Sequence, residues 1–416
     1  MKTLLKSATI IDSSGTYNNQ TKDILIVDGI ITKIEDTITE EGATVVELPN
    51  LHVSNGWFDS SVSFGEPGYE ECETLENGTY TAAKSGFTSI LLNPKTKPVT
   101  DNKSAISYVI SKTQDTGVNV HPIGALTMKS ESVDLAELYD MASGGAVAFG
   151  DFKTPLENPN LLKIALLYAQ NFDALIMSFP NEKLIAGKGV MNEHIASTRL
   201  GLKGIPALAE SLHVARDLYI LEYTGGKLHI PTISTTASVE LIKAAKEKGL
   251  DVTCSVAIHN LFFTDDALEE FDTRFKVMPP LRTQSDVDTL KAAVAEGIID
   301  YVTTDHTPID IENKKLEFDL AEYGTIGLES AFGALNKLFG AQKAVELLTK
   351  GKDRFNVDNS HIKVSEKAQL TLFNPIKEYT FSKEHILSSS KNSAFLNSKL
   401  LGEVYGIYNN SKLIIE

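Results

Sequence analysis

The chain runs to 416 residues, 42% of them hydrophobic, enough to bury one barrel-sized core with a smaller module beside it, or two ordinary domains. A formal net charge of −16 without any long lysine or arginine run repels phosphate backbones and anionic bilayer surfaces, so neither nucleic acid nor a membrane is expected as a partner. The two cysteines, Cys72 and Cys254, stand far apart with no CxxC pairing, which argues against a disulfide framework and a thiolate zinc site.

The opening run MKTLLKSATIIDSSG carries Lys6 among its apolar residues and leads into an alternating strand, which argues against a signal peptide. No apolar stretch approaches the roughly 20 residues that cross a bilayer, and a cytoplasmic location is expected. Residues 2–50 alternate apolar and polar positions: LLKSATIID, a turn at SSGTYNNQ, then DILIVDGIITKIED, whose Asp28-Gly29 pair reads as a hairpin turn. Eight short apolar runs follow, WFDSSVSF, FTSILLNP, GVNVHPIGAL, GAVAFGDF, DALIMSFP, KLHIPTIS, DVTCSVAI and GIIDYVTTDH. Helical patterns such as SVELIKAAKEKG and QSDVDTLKAAVAEG alternate with them. Repeated βα units of this number predict an α/β fold, a (β/α)8 TIM barrel over about 53–350, with a doubly wound open sheet as the alternative. The tail returns to strands with AQLTLFNP, KEYTFS, GEVYGIYNN and KLIIE. Residues 1–52 and 351–416 are therefore expected to form one composite β-domain, since short strands orphaned at each end can pair with one another.

In such barrels chemistry sits at the C-terminal ends of the strands. That points to Ser61, Ser63, Asn93 to Lys95, Asp151, Ser178, Thr232, His259, Asp305 and His306.

The stretches FGEPGYE, GKGVMNEHIASTRLGLKGIPALAE, VARDLYILEYTGGKLHI, STTASVELIKAAKEKGLDVT, FKVMPPLRT, TTDHTP and GLES, in this order, resemble the dihydroorotase branch of the cyclic amidohydrolases nearly end to end. The resemblance implies a barrel of the metal-dependent hydrolase type, a β-domain built from both ends, and a place in pyrimidine biosynthesis. It also implies a metal motif DxHxH closing the first barrel strand, where residues i and i+2 point the same way and bring two imidazoles to one ion. Here that motif is Asp59-Ser60-Ser61-Val62-Ser63. By the same resemblance, the next histidine aligns with Ser178 in MSFPN, and another, from HVST, with Thr232 in PTIST. FSDDG becomes FGDFK, keeping Asp151, and TTDHTP keeps Asp305, the family's proton-transferring aspartate. The arginine of HFREPG, which binds the substrate carboxylate, is Gly65 here; the asparagines of MPNT and NPPLR are Lys95 and Met278.

A neutral hydroxyl is a far weaker divalent-metal ligand than imidazole or carboxylate, and disturbing even an outer partner typically costs about 10–100-fold. Four such exchanges predict that no metal is bound, zinc being expected only if a rebuilt site survives around Asp151, Asp305, His259 and His306. A lone Lys95 lacks the planar fork an arginine offers a carboxylate. Of the remaining histidines, His229 is expected in the core and His194 on a loop or helix start; Gly187-Lys188-Gly189 is a weak phosphate signal. The expected role is a non-catalytic homologue acting as a homo-oligomer or, by resemblance, as a partner of aspartate transcarbamoylase; an active cyclic amidohydrolase is the alternative, and a small-molecule sensor or binder using the empty barrel mouth is a third reading.

Overall fold

A computed structural model of the chain describes residues 2–415. Its N-terminal strands are β1 (Lys2–Ile11), β2 (Thr21–Val27), β3 (Ile30–Glu35), β4 (Thr44–Val46) and β5 (His52–Asn55). The β2–β3 turn is Asp28-Gly29, with φ of 48° and 82°. Positive φ at both central residues is the hairpin geometry whose twist matches the flanking strands. These strands pair with three from the C-terminal end: β16 (Leu370–Thr380), β17 (Lys399–Asn409) and β18 (Lys412–Ile415), in the order β18-β17-β16-β5-β1-β2-β3 with β4 on β1. Strand β5 holds the two ends together, parallel to β1 on one side and antiparallel to β16 on the other. One face of this sheet buries Leu5, Ile10, Ile24, Ile26, Val53, Leu370 and Leu372 together.

The middle of the chain is a barrel of eight parallel strands: β6 (Trp57–Val62), β7 (Phe87–Leu92), β8 (Asn119–Gly124), β9 (Ala148–Phe149), β10 (Leu175–Met177), β13 (Lys227–Ile230), β14 (Val252–Ala257) and β15 (Tyr301–Thr303). Each corresponds to one of the eight apolar runs of the sequence. A two-stranded ribbon, β11 (Met191–Asn192) with β12 (Gly204–Ile205), projects after β10. The barrel closes where Val62 bridges His306 in parallel and the Ser63 amide donates to the His306 carbonyl at 2.8 Å, so the open-sheet alternative falls away. The helices start and stop where the sequence provides caps. Thr235 and Thr283 accept from the amides of Ser238 and Asp286, and Gly297, at φ 77°, ends the second of these helices.

Trp57 and Lys352 join barrel and sheet. The fully buried Trp57 ring packs at 4.9 Å from Phe332 and 5.5 Å from Phe373, and its Nε1 donates to Ser54 Oγ at 3.0 Å. The Lys352 ammonium, also buried, donates to the Gly56 carbonyl at 2.8 Å.

Candidate functional site

The C-terminal ends of β6, β7, β9, β10, β13 and β15 converge on a small cavity of about 30 Å3, lined by Ser61, Asn93, Asp151, Lys153, Thr232, Asp305 and the apolar side chains of Phe152, Met177 and Phe179. That is room for little more than one or two waters. The Ser61 hydroxyl donates to Asp305 Oδ1 at 3.2 Å, and the Asn93 amide donates to both Ser61 Oγ and Ser63 Oγ at 3.1 Å. The Lys153 ammonium reaches Asp305 Oδ2 at 2.7 Å, an ion pair with 13% and 1% of its two side chains exposed. Burial pushes the Asp305 carboxyl up from its ordinary value, and the Lys153 ammonium and Ser61 hydroxyl pull the other way.

The other acidic groups are committed elsewhere. Asp59 accepts from the amides of Ser61 and Thr304 at 3.0 Å and from the hydroxyls of Thr303 and Thr304. Burial raises it to about 6 against these four bonds. Asp151 turns its carboxylate to the amides of Leu126 and Thr127 at 3.0 and 3.1 Å and to the Thr127 hydroxyl at 2.5 Å. Ser178 is not brought into the mouth: its hydroxyl donates to Asp217 on the helix Ala207–Thr224 at 2.5 Å, while its neighbours Met177 and Phe179 line the cavity. Adjacent residues of a strand end face opposite ways, so a one-residue offset decides which side chain enters.

The histidines do not assemble with Asp305. His306 Nδ1 accepts from the amides of Gly327 and Leu328 at 3.1 and 3.4 Å. His229 lies in the core against the Tyr301 hydroxyl at 2.9 Å. His259 is buried near Lys153 and Lys314, and both its ring nitrogens lack a partner among the described residues. Burial holds each of these three imidazoles at about 3, neutral at physiological pH. His194, half exposed, sits 3.6 Å from Asp265 at a helix start.

Zinc does not fit this donor set. Ser61, Ser63 and Thr232 are neutral, Asp151 is saturated by amides and a hydroxyl, and Asp305 is paired with an ammonium. Among the described residues no group of three or more His, Cys, Asp or Glu side chains is placed to hold a metal ion.

The positions implied for substrate contact lie further out. At Gly65 a Cβ would stand 1.6 Å from the Tyr69 carbonyl oxygen, so the loop is closed to any side chain. Lys95 and Met278 line a second cavity of about 800 Å3 above the first, shared with Tyr69, Phe152, Lys153, Phe179, Lys188, Lys276, Asp319, Glu322 and Tyr323. Sequence reasoning treated Lys95 as a solitary cation; the fold brings Lys153, Lys188 and Lys276 to the same space. Lys153 was within reach of the period-2 argument, standing two residues after Asp151. Lys188 and Lys276 come from distant loops and carried no common signal.

The dihydro-orotase-like family model matches residues 52–238. A dihydroorotase of Ruminiclostridium cellulolyticum is 39% identical over 411 residues, covering 97% of this chain and 96% of that protein. A dihydroorotase of Geotalea daltonii is 37% identical over the same share of both. Among solved structures, the L-hydantoinase (dihydropyrimidinase) of Arthrobacter aurescens superposes with a TM-score of 0.84 over 100% of this chain and 96% of its own, at 21% identity.

Proposed function

The chain belongs to the dihydroorotase family of cyclic amidohydrolases, and from that premise we propose that it is a member whose barrel mouth no longer performs metal-dependent ring opening. The observation that carries this reading is the Lys153–Asp305 ion pair. An aspartate in a proton-transfer position must be free to take a proton from activated water and pass it to the leaving nitrogen. Here its carboxylate is held by a fixed ammonium and a hydroxyl in a space of a few waters. The gap at Gly65 supports the same reading, since no side chain can be accommodated where the family places its carboxylate-binding arginine.

The test is elemental analysis of the purified protein together with a dihydroorotate hydrolysis assay. Substoichiometric zinc and no turnover are expected. Tightly held zinc whose removal abolishes turnover would overturn the proposal in favour of a working amidohydrolase. High identity to proteins named dihydroorotase over the whole chain favours that second reading.

A scaffold that outlives its chemistry acts through another surface. The helices Pro159–Ala169 and Ala207–Thr224 pack side by side, and their outer faces expose Ile164, Leu167, Tyr168, Leu212, Tyr219 and Tyr223. Apolar patches of this kind mark docking sites. The proposed occupants, in the setting of pyrimidine biosynthesis, are a second copy of the chain and aspartate transcarbamoylase.

A further inference from the structure

The geometry points to a binding site for a phosphate monoester carrying a flat ring, the chemistry of a nucleoside monophosphate, in the 800 Å3 cavity above the closed mouth. The volume lies in the range of small-molecule pockets, about 300–1,000 Å3, whereas the mouth beneath, at about 30 Å3, is too small for such a ligand. Phe152, Lys153 and Phe179 line both spaces and form the floor between them. A ligand of this site therefore rests above the strand ends.

The wall carries four lysines against two carboxylates, Asp319 and Glu322, on a chain whose net charge is −16. Two of the four ammonium groups are engaged. Lys153 pairs with Asp305, and Lys276 donates to the Asp319 carbonyl at 3.0 Å and lies 4.8 Å over the Tyr323 ring. Lys95 and Lys188 reach solvent along the cavity wall and make no hydrogen bond or ion pair among the described residues. Burial of the Lys95 ammonium and the neighbouring Lys153 charge push its pKa down from the ordinary lysine value, with Glu322 pulling the other way, so an anion here relieves a repulsion between two ammonium groups.

Lys188 sits in the Gly187-Lys188-Gly189 turn. The turn is held by the Gly189 amide on the Ala186 carbonyl at 3.0 Å and by the Tyr323 hydroxyl on the Gly189 carbonyl at 3.1 Å. A Cβ at Gly189 would stand 2.5 Å from the Gly204 carbonyl oxygen, so the backbone is packed tightly there. Lys188 is thus presented to the cavity from a fixed turn. Compact ammonium charges suit a phosphate dianion, whereas a planar carboxylate is better matched by the arginine fork that Gly65 excludes. Tyr69, Phe152, Phe179 and Tyr323 offer the aromatic surface on which a ring stacks.

This inference stands apart from the proposed loss of hydrolysis, because it is read by binding alone. The experiment is isothermal titration calorimetry of the full chain with uridine and adenosine monophosphates, using uridine, inorganic phosphate and orotate as controls. A saturable heat at one site per chain is expected with a monophosphate, weakening as salt rises. Lys188→Ala and Lys95→Ala should each reduce the affinity by about tenfold or more, the loss of one charged hydrogen bond. The melting temperatures of the free variants should match the parent, separating lost binding from lost folding. No binding of either monophosphate at millimolar concentration would overturn the proposal, as would affinity unchanged in both lysine variants. Inorganic phosphate binding as tightly with the same lysine dependence would mean an adventitious ion only. Orotate binding more tightly than either monophosphate would replace the phosphate ester with a ring carboxylate.

Discussion

Asp305 takes its electrostatic setting from a single partner. Its carboxylate is 1% exposed and depends on Lys153 for its charge balance. Removing one member of such a pair strands the other, at a cost of about 3–5 kcal/mol, whereas removing both is far milder. Lys153→Met should therefore lower the urea-unfolding free energy by about 3 kcal/mol, and Lys153→Met with Asp305→Asn should recover most of it. A double variant as unstable as the single would show the pair to be incidental. Restoring imidazoles by Ser61→His and Ser63→His is expected to yield no dihydroorotate turnover, since Asp151 stays bound to Leu126 and Thr127 and Met177 and Phe179 still fill the mouth. The serines themselves were legible in the sequence, because a strand motif fixes both register and direction. The lysine that answers Asp305 was less so, since an ion pair between β9 and β15 loops, 152 residues apart, is a property of the closed barrel.

At the scale of elements, two buried groups knit the last barrel strand to its neighbours, and one of them reports on pH. Asp59 collects four donors from the ends of β6 and β15, so Asp59→Ala should leave buried hydroxyls and amides unpaired and cost about 3 kcal/mol or more. Circular dichroism melts of that variant should show a lowered midpoint for the whole barrel. His306 ties β15 to the turn at Gly327 and Leu328 by accepting from their amides. Burial holds it at about 3, below the ordinary 6.5. Between these values the unfolded chain binds the proton and the folded chain does not, so stability contributed here is present above pH 6.5 and is lost as the pH falls toward 3. His306→Asn, which keeps an acceptor but cannot be protonated, should be less stable than the parent at pH 8, with the deficit narrowing at pH 4.5. Equal deficits at both values would place the imidazole proton elsewhere. The strands that carry these groups followed from hydrophobic runs alone. Their closure did not, because the Val62–His306 bridge joins residues 244 positions apart and leaves no local mark.

For the whole molecule, the barrel was foreseeable because each of the eight strands lies in a short apolar-rich stretch and helix patterns alternate with these stretches, the arrangement of a sheet covered on both faces. What covers the outer helices was not. On the helix Ala207–Thr224, Tyr219 and Tyr223 are 72% and 80% exposed on one side, four residues apart. If that face joins two copies or receives aspartate transcarbamoylase, the mass from light scattering should exceed that of one chain at micromolar concentration, alone or with the transcarbamoylase. Tyr219→Glu should reduce it without changing the melt of the single chain, whereas a mass of one chain under both conditions would remove this surface from consideration. The position of β5 has a further consequence, for the timing of synthesis. Asn55 pairs with Leu370, and a ribosome adding about 5–20 residues per second needs roughly 15–60 s to travel between them. Throughout that interval the β1–β5 edge waits with its hydrogen-bonding groups open, so the nascent chain is most exposed to strand-to-strand aggregation before its last fifty residues emerge.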